Sequence, residues 1–170
     1  VIYSIGHSAL AIDAFIAHLK RYGISVLVDV RSIPYSKRHP QFNREALVTA
    51  LSSQGIEYDF AGRALGGKPK DPTVYRNGRV QYSLLRRRPY FQEGLERLIA
   101  MDTTTKNIAI MCAEKDPLRC HRFHLVSEAL WEKGIEVLHL YPVESPKRRL
   151  IPIEHNRLKQ WHSSAKRKLL

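Results

Sequence analysis

The chain has 170 residues, 44% of them hydrophobic, enough for one ordinary domain with a real core. It carries 28 Lys and Arg against 16 Asp and Glu, a formal charge of +12, and two cysteines, Cys112 and Cys120. No run approaches the roughly 18 apolar residues of a membrane span. Two cysteines in one short segment exclude a secreted disulfide scaffold. The opening Val-Ile-Tyr-Ser-Ile-Gly-His lacks the basic leader of a signal peptide. The expected protein is cytoplasmic, with thiols available for chemistry and a charge suited to nucleic acid or to a phosphate-bearing small molecule.

Val1 to Ile5 reads as a strand broken by Gly6. Leu10 to Tyr22 is an amphipathic helix, apolar at Phe15, Ile16 and Leu19 and closed by Gly23. Ser25 to Val30 is a continuous apolar strand of the kind buried on both faces. A basic loop with Pro34 and Pro40 leads to Asn43, which caps a helix through Leu51. Ile56 to Phe60 is a shorter strand. Gly62 to Gln81 reads as a long loop with a hairpin at Asn77-Gly78. Pro89 begins a helix to about Met101, and Asn107 to Met111 is another apolar strand. Asp116 as N-cap and Pro117 as first helical residue predict a helix from there to Lys133. Glu136 to Tyr141 is the fifth strand. Beyond Pro142 the chain is polar and basic, including Lys147, Arg148, Arg149, Arg157, Lys159, Lys166, Arg167 and Lys168, with one short strand at Leu150 to Ile153.

Strands alternating with helices predict a single three-layer, Rossmann-like α/β domain over residues 1–142, its sheet mostly parallel with about five strands. Residues 143–170 form a basic C-terminal extension. In such sheets the ligand crevice lies beyond the carboxyl ends of the strands. His7 and Ser8 follow the first strand, Asp29, Arg31 and Ser32 end the second, and Cys112 and Glu114 end the fourth. Cys120, His121 and Arg122 come next in the chain. Four polar clusters therefore converge on one rim.

The segment Cys112-Ala-Glu-Lys-Asp-Pro-Leu-Arg-Cys-His-Arg122 is the richest in chemistry. A helix start there favours thiolate and attracts anions, with Arg119 or Arg122 to hold them. A structural alternative pairs Arg122 with Asp29 or Glu114. Zinc on Cys112, Cys120 and His124 is a further alternative, although this spacing is not an established zinc pattern. Asp29 and Arg31 share a strand face; they serve either as general base and anion ligand or as an ion pair. Ser8 reads as a helix N-cap, Gly66-Gly67-Lys68 as a turn or a close approach to ligand, and His139 as structural. Tyrosines among the basic residues are compatible with base stacking.

Ile5-Gly-His-Ser8, Asp29-Val-Arg-Ser32, Pro34, Ser36, Phe42, Leu65-Gly-Gly67, Cys112-Ala-Glu114, Asp116-Pro117 and Cys120-His-Arg122 together resemble a prokaryotic family, domain of unknown function 488. The resemblance covers roughly residues 1 to 141. It implies a compact α/β domain whose motif residues line a common site, and it implies no reaction. A Cys-containing loop after a strand is also similar to rhodanese-like sulfurtransferases and related phosphatases, which wrap an anion between Cys and Arg. Here Glu114 and Asp116 would repel a phosphate in that loop, and Pro117 removes an N–H donor.

The leading expectation is an enzyme hydrolysing a glycosidic or phosphodiester bond in nucleic acid or a nucleotide, in DNA or RNA processing or repair. Asp29, Glu114, His7 and His121 would handle protons, and Arg31 and Arg122 would stabilise negative charge. Ser8, Ser32, Gly66, Gly67, Lys68 and Arg119 would bind substrate. One alternative is cysteine-dependent transfer through Cys112 or Cys120. Another is a module that binds nucleic acid without catalysis.

Overall fold

The structure is a computed structural model that describes residues 1–102, 105–142 and 149–167. Lys147, Arg148 and Lys168 lie outside the described residues. The chain runs through β1 (Ile2–Gly6), α1 (Ile12–Arg21), β2 (Ile24–Asp29), α2 (Arg44–Ser52) and β3 (Glu57–Phe60). Then come α3 (Gly62–Leu65), the hairpin β4 (Tyr75–Arg76) and β5 (Arg79–Val80), α4 (Tyr82–Leu85) and α5 (Pro89–Met101). The last part is β6 (Asn107–Cys112), α6 (Glu128–Glu132), β7 (Val137–Pro142), β8 (Leu150–Glu154) and α7 (His155–Arg167).

Six strands form one sheet in the order β3-β2-β6-β1-β7-β8. All pairings are parallel except β7 with β8. Strand β6 enters between β1 and β2, so the carboxyl ends of these three strands lie side by side at a point where the winding reverses. The sheet is thus α/β and mostly parallel with helices on both faces, as expected.

Side chains alternate across the sheet, and this alternation sorts the core into two halves. On one face Ile2, Val26, Val28, Ile108 and Ile110 pack with Leu65, Phe91, Leu95, Leu125 and Leu130 from the helices. On the other, Ile5, Leu27, Ala109 and Met111 pack with Phe15, Leu19, Leu47 and Leu51. The same alternation continues past the apolar residues. It sends Cys112 to the first face and the side chains of His7 and Asp29 to the second.

Three local expectations change. The long stretch after β3 contains short helices as well as the expected hairpin, whose Asn77 and Gly78 have φ of 51° and 71°. That is the left-handed pair of a tight two-residue turn. Asn43 precedes α2, but its Oδ1 accepts from the Ser36 N–H (2.7 Å) and does not cap the helix. The helix expected from Pro117 is interrupted. Asp116 Oδ1 does accept from the Leu118 N–H at 2.9 Å, but only a single 3-10 turn, Pro117–Arg119, follows. Cys120 is extended, and a π-helical turn (Arg122–Ser127) then leads into α6.

The described residues beyond Pro142 pack on the same sheet. Strand β8 pairs with β7, and α7 buries His155 and Leu158. No described helix is long and apolar enough to cross a membrane. Because Leu158 is 1% exposed, Leu158→Ala is expected to lower stability by about 2–4 kcal/mol, measured by urea unfolding; a change within about 0.5 kcal/mol would show that α7 adds nothing to the core.

Candidate functional site

A cavity of about 560 Å³ opens at the carboxyl edge of β1, β2 and β6. That is the size of small-molecule pockets in general. Its lining includes His7, Arg31, Ser32, Lys68, Cys112, Glu114, Arg119, Cys120 and His121. The convergence expected from the strand ends is therefore present for His7, Arg31, Ser32, Cys112, Glu114, Cys120 and His121, and Gly67, Lys68 and Arg119 join them. Asp29, Ser8, Gly66 and Arg122 do not line the cavity but lie behind it.

The wall on the α1 side is built on Asp29, which is 0% exposed. Its Oδ1 accepts from the Arg31 backbone N–H (3.1 Å) and Nε (2.9 Å). Its Oδ2 accepts from Arg31 Nη2 (2.7 Å) and from the Tyr58 hydroxyl (2.8 Å). Arg31 Nη2 also donates to the Phe42 carbonyl at 2.8 Å. A carboxylate so enclosed has no free lone pair facing the cavity, so Asp29 positions Arg31 and does not take protons from substrate. Tyr58 is one of the tyrosines that the sequence offers for base stacking, and here it serves the carboxylate instead. It lies two residues before the end of β3 on the face of Asp29, and burial beside that carboxylate pushes its phenol well above the usual range.

His7 stacks on Phe42 with ring centroids 4.3 Å apart. Its Nδ1–H donates to the Ser8 carbonyl (2.9 Å), which leaves Nε2 to accept from Arg31 Nη1 at 3.3 Å. Burial lowers its pKa to about 4, so the ring is neutral at pH 7. Ser8 has a positive φ of 49° and precedes α1 by a turn, with Ala11 at the N-cap. It shapes the His7 turn and does not cap the helix.

The floor holds the sulfurs. Cys112 and Cys120 are paired through their Sγ atoms, with Cα atoms 7.8 Å apart. Arg122 is fully buried, and its Nη1 donates to Cys112 Sγ at 2.8 Å. The same Nη1 donates to the Glu114 carbonyl (2.6 Å), Nη2 to the Lys115 carbonyl (3.1 Å) and Nε to Ser4 Oγ (3.3 Å). Neither Asp29 nor the Glu114 carboxylate pairs with it, contrary to the structural alternative considered from sequence. Burial lowers the Arg122 pKa to about 9, still charged at pH 7. A buried cation with a sulfur as its closest non-oxygen partner favours thiolate there. Cys120 Sγ in turn accepts from the Arg122 backbone N–H (3.5 Å), the place of an N-cap side chain. The π turn leaves the Arg122 carbonyl to the Ser127 hydroxyl, which donates to it at 2.6 Å.

His121 closes the floor. Its Nε2–H donates to the Val30 carbonyl (2.9 Å), and Nδ1 faces Cys120 Sγ at 3.6 Å. Burial lowers its pKa to about 4 as well. Gly67 is required by this ring, since a Cβ there would come within 2.8 Å of His121 Cβ and Cγ. Gly66 packs equally tightly on Ser32, whose Oγ accepts from the Lys68 N–H at 2.9 Å. The glycine pair therefore serves close packing of the site, with Gly67 and Lys68 both on the cavity lining.

Among the described residues, Cys112, Cys120 and His121 are the group whose donor atoms come close enough to share a metal, within 4.8 Å of one another. His124, the third ligand of the zinc alternative, is turned away, its Nε2 bonded to the Leu118 carbonyl (2.7 Å). The trio suits a cation poorly. Its two sulfurs face each other, and a fixed guanidinium charge already holds Cys112. We therefore treat the cysteines as a sulfur pair.

The family model described as a domain of unknown function, DUF488, matches residues 11–130. No protein of curated function and no solved structure matches the chain.

Both neutral histidines bind protons more weakly here than in the unfolded chain. Between about pH 6.5 and pH 4 the unfolded state therefore holds more protons, and stability falls as pH is lowered through that window. Each ring is expected to contribute a slope of up to about 1.4 kcal/mol per pH unit. Urea unfolding between pH 7 and pH 4 measures it, and His7→Gln should give the shallower curve.

Proposed function

The chain belongs to the DUF488 family, which is defined without an activity, and on the geometry of its site we propose a cysteine-dependent transfer enzyme that acts on small sulfur-bearing anions. The single observation that carries this reading is the buried Arg122 guanidinium, which donates to Cys112 Sγ at 2.8 Å on the floor of an open cavity. It supports Cys112 as a thiolate nucleophile in the reduced protein. Arg31, Lys68 and Arg119 line the cavity and suit an anionic donor.

In the first step Cys112 Sγ attacks the outer sulfur of the donor. A Cys112 S–S bond forms, the donor's S–S bond breaks, and its electron pair leaves on the departing anion. In the second step an acceptor thiolate attacks the transferred sulfur, and the Cys112 thiolate leaves with the bonding pair. No external oxidant or reductant enters. Cys120 is placed to be the first acceptor, its Sγ 3.6 Å from His121 Nδ1. Sulfur is favoured over phosphoryl transfer by the loop itself. Pro117, inside the loop, has no N–H to give to a phosphate.

The expected nucleic-acid hydrolase has less support. Of its two carboxylates Glu114 reaches the cavity, while Asp29 is sealed behind Arg31 and Tyr58. A polyanionic acceptor or carrier is nevertheless a second reading. Lys68 and Arg119 are exposed at the cavity, and no described carboxylate pairs with either.

Reduced protein incubated with thiosulfate should gain one sulfur at Cys112, read by intact and peptide mass spectrometry. Cys112→Ser should abolish this, Arg122→Met should slow it by roughly a hundredfold, the worth of about two to three kcal/mol for a charged hydrogen bond, and Glu114→Gln should leave it unchanged. Sulfur uptake that survives Cys112→Ser would overturn the assignment. For the polyanion reading, binding of single-stranded RNA and DNA should weaken steeply with salt, and Lys68→Ala with Arg119→Ala should reduce the log–log slope by about 1–2.

A further inference from the structure

Arg122 raises a question that the sulfur site does not answer. A guanidinium at 0% exposure needs an offsetting negative charge, and it touches no carboxylate. Its Nε donates instead to Ser4 Oγ, and from Ser4 a line of buried polar groups crosses the domain. Ser4 Oγ lies 2.6 Å from His139 Nδ1. His139 Nε2 lies 3.1 Å from His155 Nδ1, and His155 Nε2 lies 2.9 Å from Glu128 Oε2. Glu128 Oε1 is paired with Lys159 at the surface. Ser4, His139 and His155 are each 1% exposed or less. The register of the sheet makes the first link, since Ser4 on β1 and His139 on β7 are direct neighbours.

A single assignment of protons satisfies every member. The Glu128 carboxylate only accepts, so His155 carries its proton on Nε2. Its bare Nδ1 then accepts from His139 Nε2–H, and the bare Nδ1 of His139 accepts from the Ser4 hydroxyl. Ser4 is left with lone pairs toward Arg122 Nε–H. All donors point one way, from the guanidinium to the carboxylate, and such lines strengthen one another in a dry interior. The dryness is supplied by Phe123, whose ring centroid is 4.3 Å from that of His155 and 5.1 Å from that of His139. The charged or titratable groups facing the two imidazoles are Arg122, Glu128, Lys159 and Glu136, the last accepting from the His155 backbone N–H at 2.7 Å. Burial holds both imidazoles below the usual histidine range, which keeps them neutral and the line intact at pH 7.

The reverse tautomer shows what the line does. With the proton on His139 Nδ1, its bare Nε2 would face the bare Nδ1 of His155 at 3.1 Å with no hydrogen between them, and the Ser4 oxygen would have to accept from His139 as well as from Arg122, which weakens its hold on the guanidinium. We infer that Ser4, His139, His155 and Glu128 are positioning residues that hold the Arg122 guanidinium against the Cys112 sulfur from along the same face of the sheet. The inference rests on the reading of Cys112 as the reacting thiol.

The test combines two measurements on the reduced full-length protein at pH 7.5. Nitrogen-15 NMR of the imidazoles reads the tautomers, and iodoacetamide labelling followed by peptide mass spectrometry reads the rate at Cys112. His139 and His155 should both carry the proton on Nε2. His155→Leu, which removes the acceptor from His139, should slow Cys112 labelling by about tenfold. His155→Gln, which can accept from His139 and donate to Glu128, should restore the rate to within about twofold. Should His155→Leu fail to fold by circular dichroism, Ser4→Ala makes the same comparison from the inner end of the line. A proton on His139 Nδ1, or a folded His155→Leu protein labelled at the wild-type rate, overturns the inference. Wild-type labelling no faster than that of a free cysteine overturns the thiol reading instead, and the tautomers then decide the line by themselves.

Discussion

The burial of one positive charge organises the functional half of this protein. Arg122 sits under the sheet edge at the first turn of the helix that follows the sulfur loop. Water cannot solvate it there, so every N–H must find a protein acceptor. The loop carbonyls of Glu114 and Lys115 turn inward to supply two of them, which sets the path of the chain from Cys112 to Asp116. The backbone N–H groups of His7 and Ser8 tie the same loop to β1 through the Cys112 and Ala113 carbonyls, at 2.9 and 3.0 Å. Gly6 is needed for this closeness, because a Cβ there would overlap the Glu114 carbonyl. What is left for the guanidinium is a sulfur and a serine hydroxyl, and these two contacts lead to Cys112 on one side and the histidine line on the other.

A second buried guanidinium solves the same problem differently. Arg31 has a carboxylate at hand, and the pair with Asp29 is completed by Tyr58 and by the Phe42 carbonyl. That unit is self-sufficient, and its outward contribution is one N–H to His7 Nε2. The two arginines stand on opposite faces of the sheet and meet only at its edge, where the cavity opens between them. One wall is thus rigid and neutral as a whole, while the other keeps an uncompensated charge beside a sulfur. Chemistry that needs a stabilised thiolate belongs on the second wall.

The alternation of apolar strands with amphipathic segments was sufficient for the α/β class, the parallel sheet and the rim on which His7, Arg31, Cys112 and His121 gather, because strand periodicity and helix capping are local properties. Turn chemistry at Asn77-Gly78 and the helix start at Pro89 were readable for the same reason. The interruption at Cys120 was not. The capping signal at Asp116-Pro117 is real, but it is spent on one 3-10 turn, because burying Arg122 and aiming both sulfurs at the cavity needs an extended residue at position 120. The polarity of the tail also concealed α7, which is held by tertiary partners such as Leu158, His155 and the Lys159–Glu128 pair more than by an apolar face of its own.

Sequence by itself determined which residue types stand at the strand ends, and therefore that a polar site exists and where in the chain its parts lie. Only the tertiary structure decided their roles, because roles depend on which face a side chain takes and which neighbour reaches it first. Asp29 read equally as a base or as an ion-pair partner of Arg31, and it is enclosed by Arg31 and Tyr58. His124 looked like a ligand and is turned away, while His121 takes its place beside the sulfurs. His139 looked like filler and joins Ser4 to His155 across strands that are far apart in the chain. Spacing along a chain sets the face that a side chain occupies on its own element. Pairing between elements is fixed by sheet order and register, which arise from the packing of the whole core.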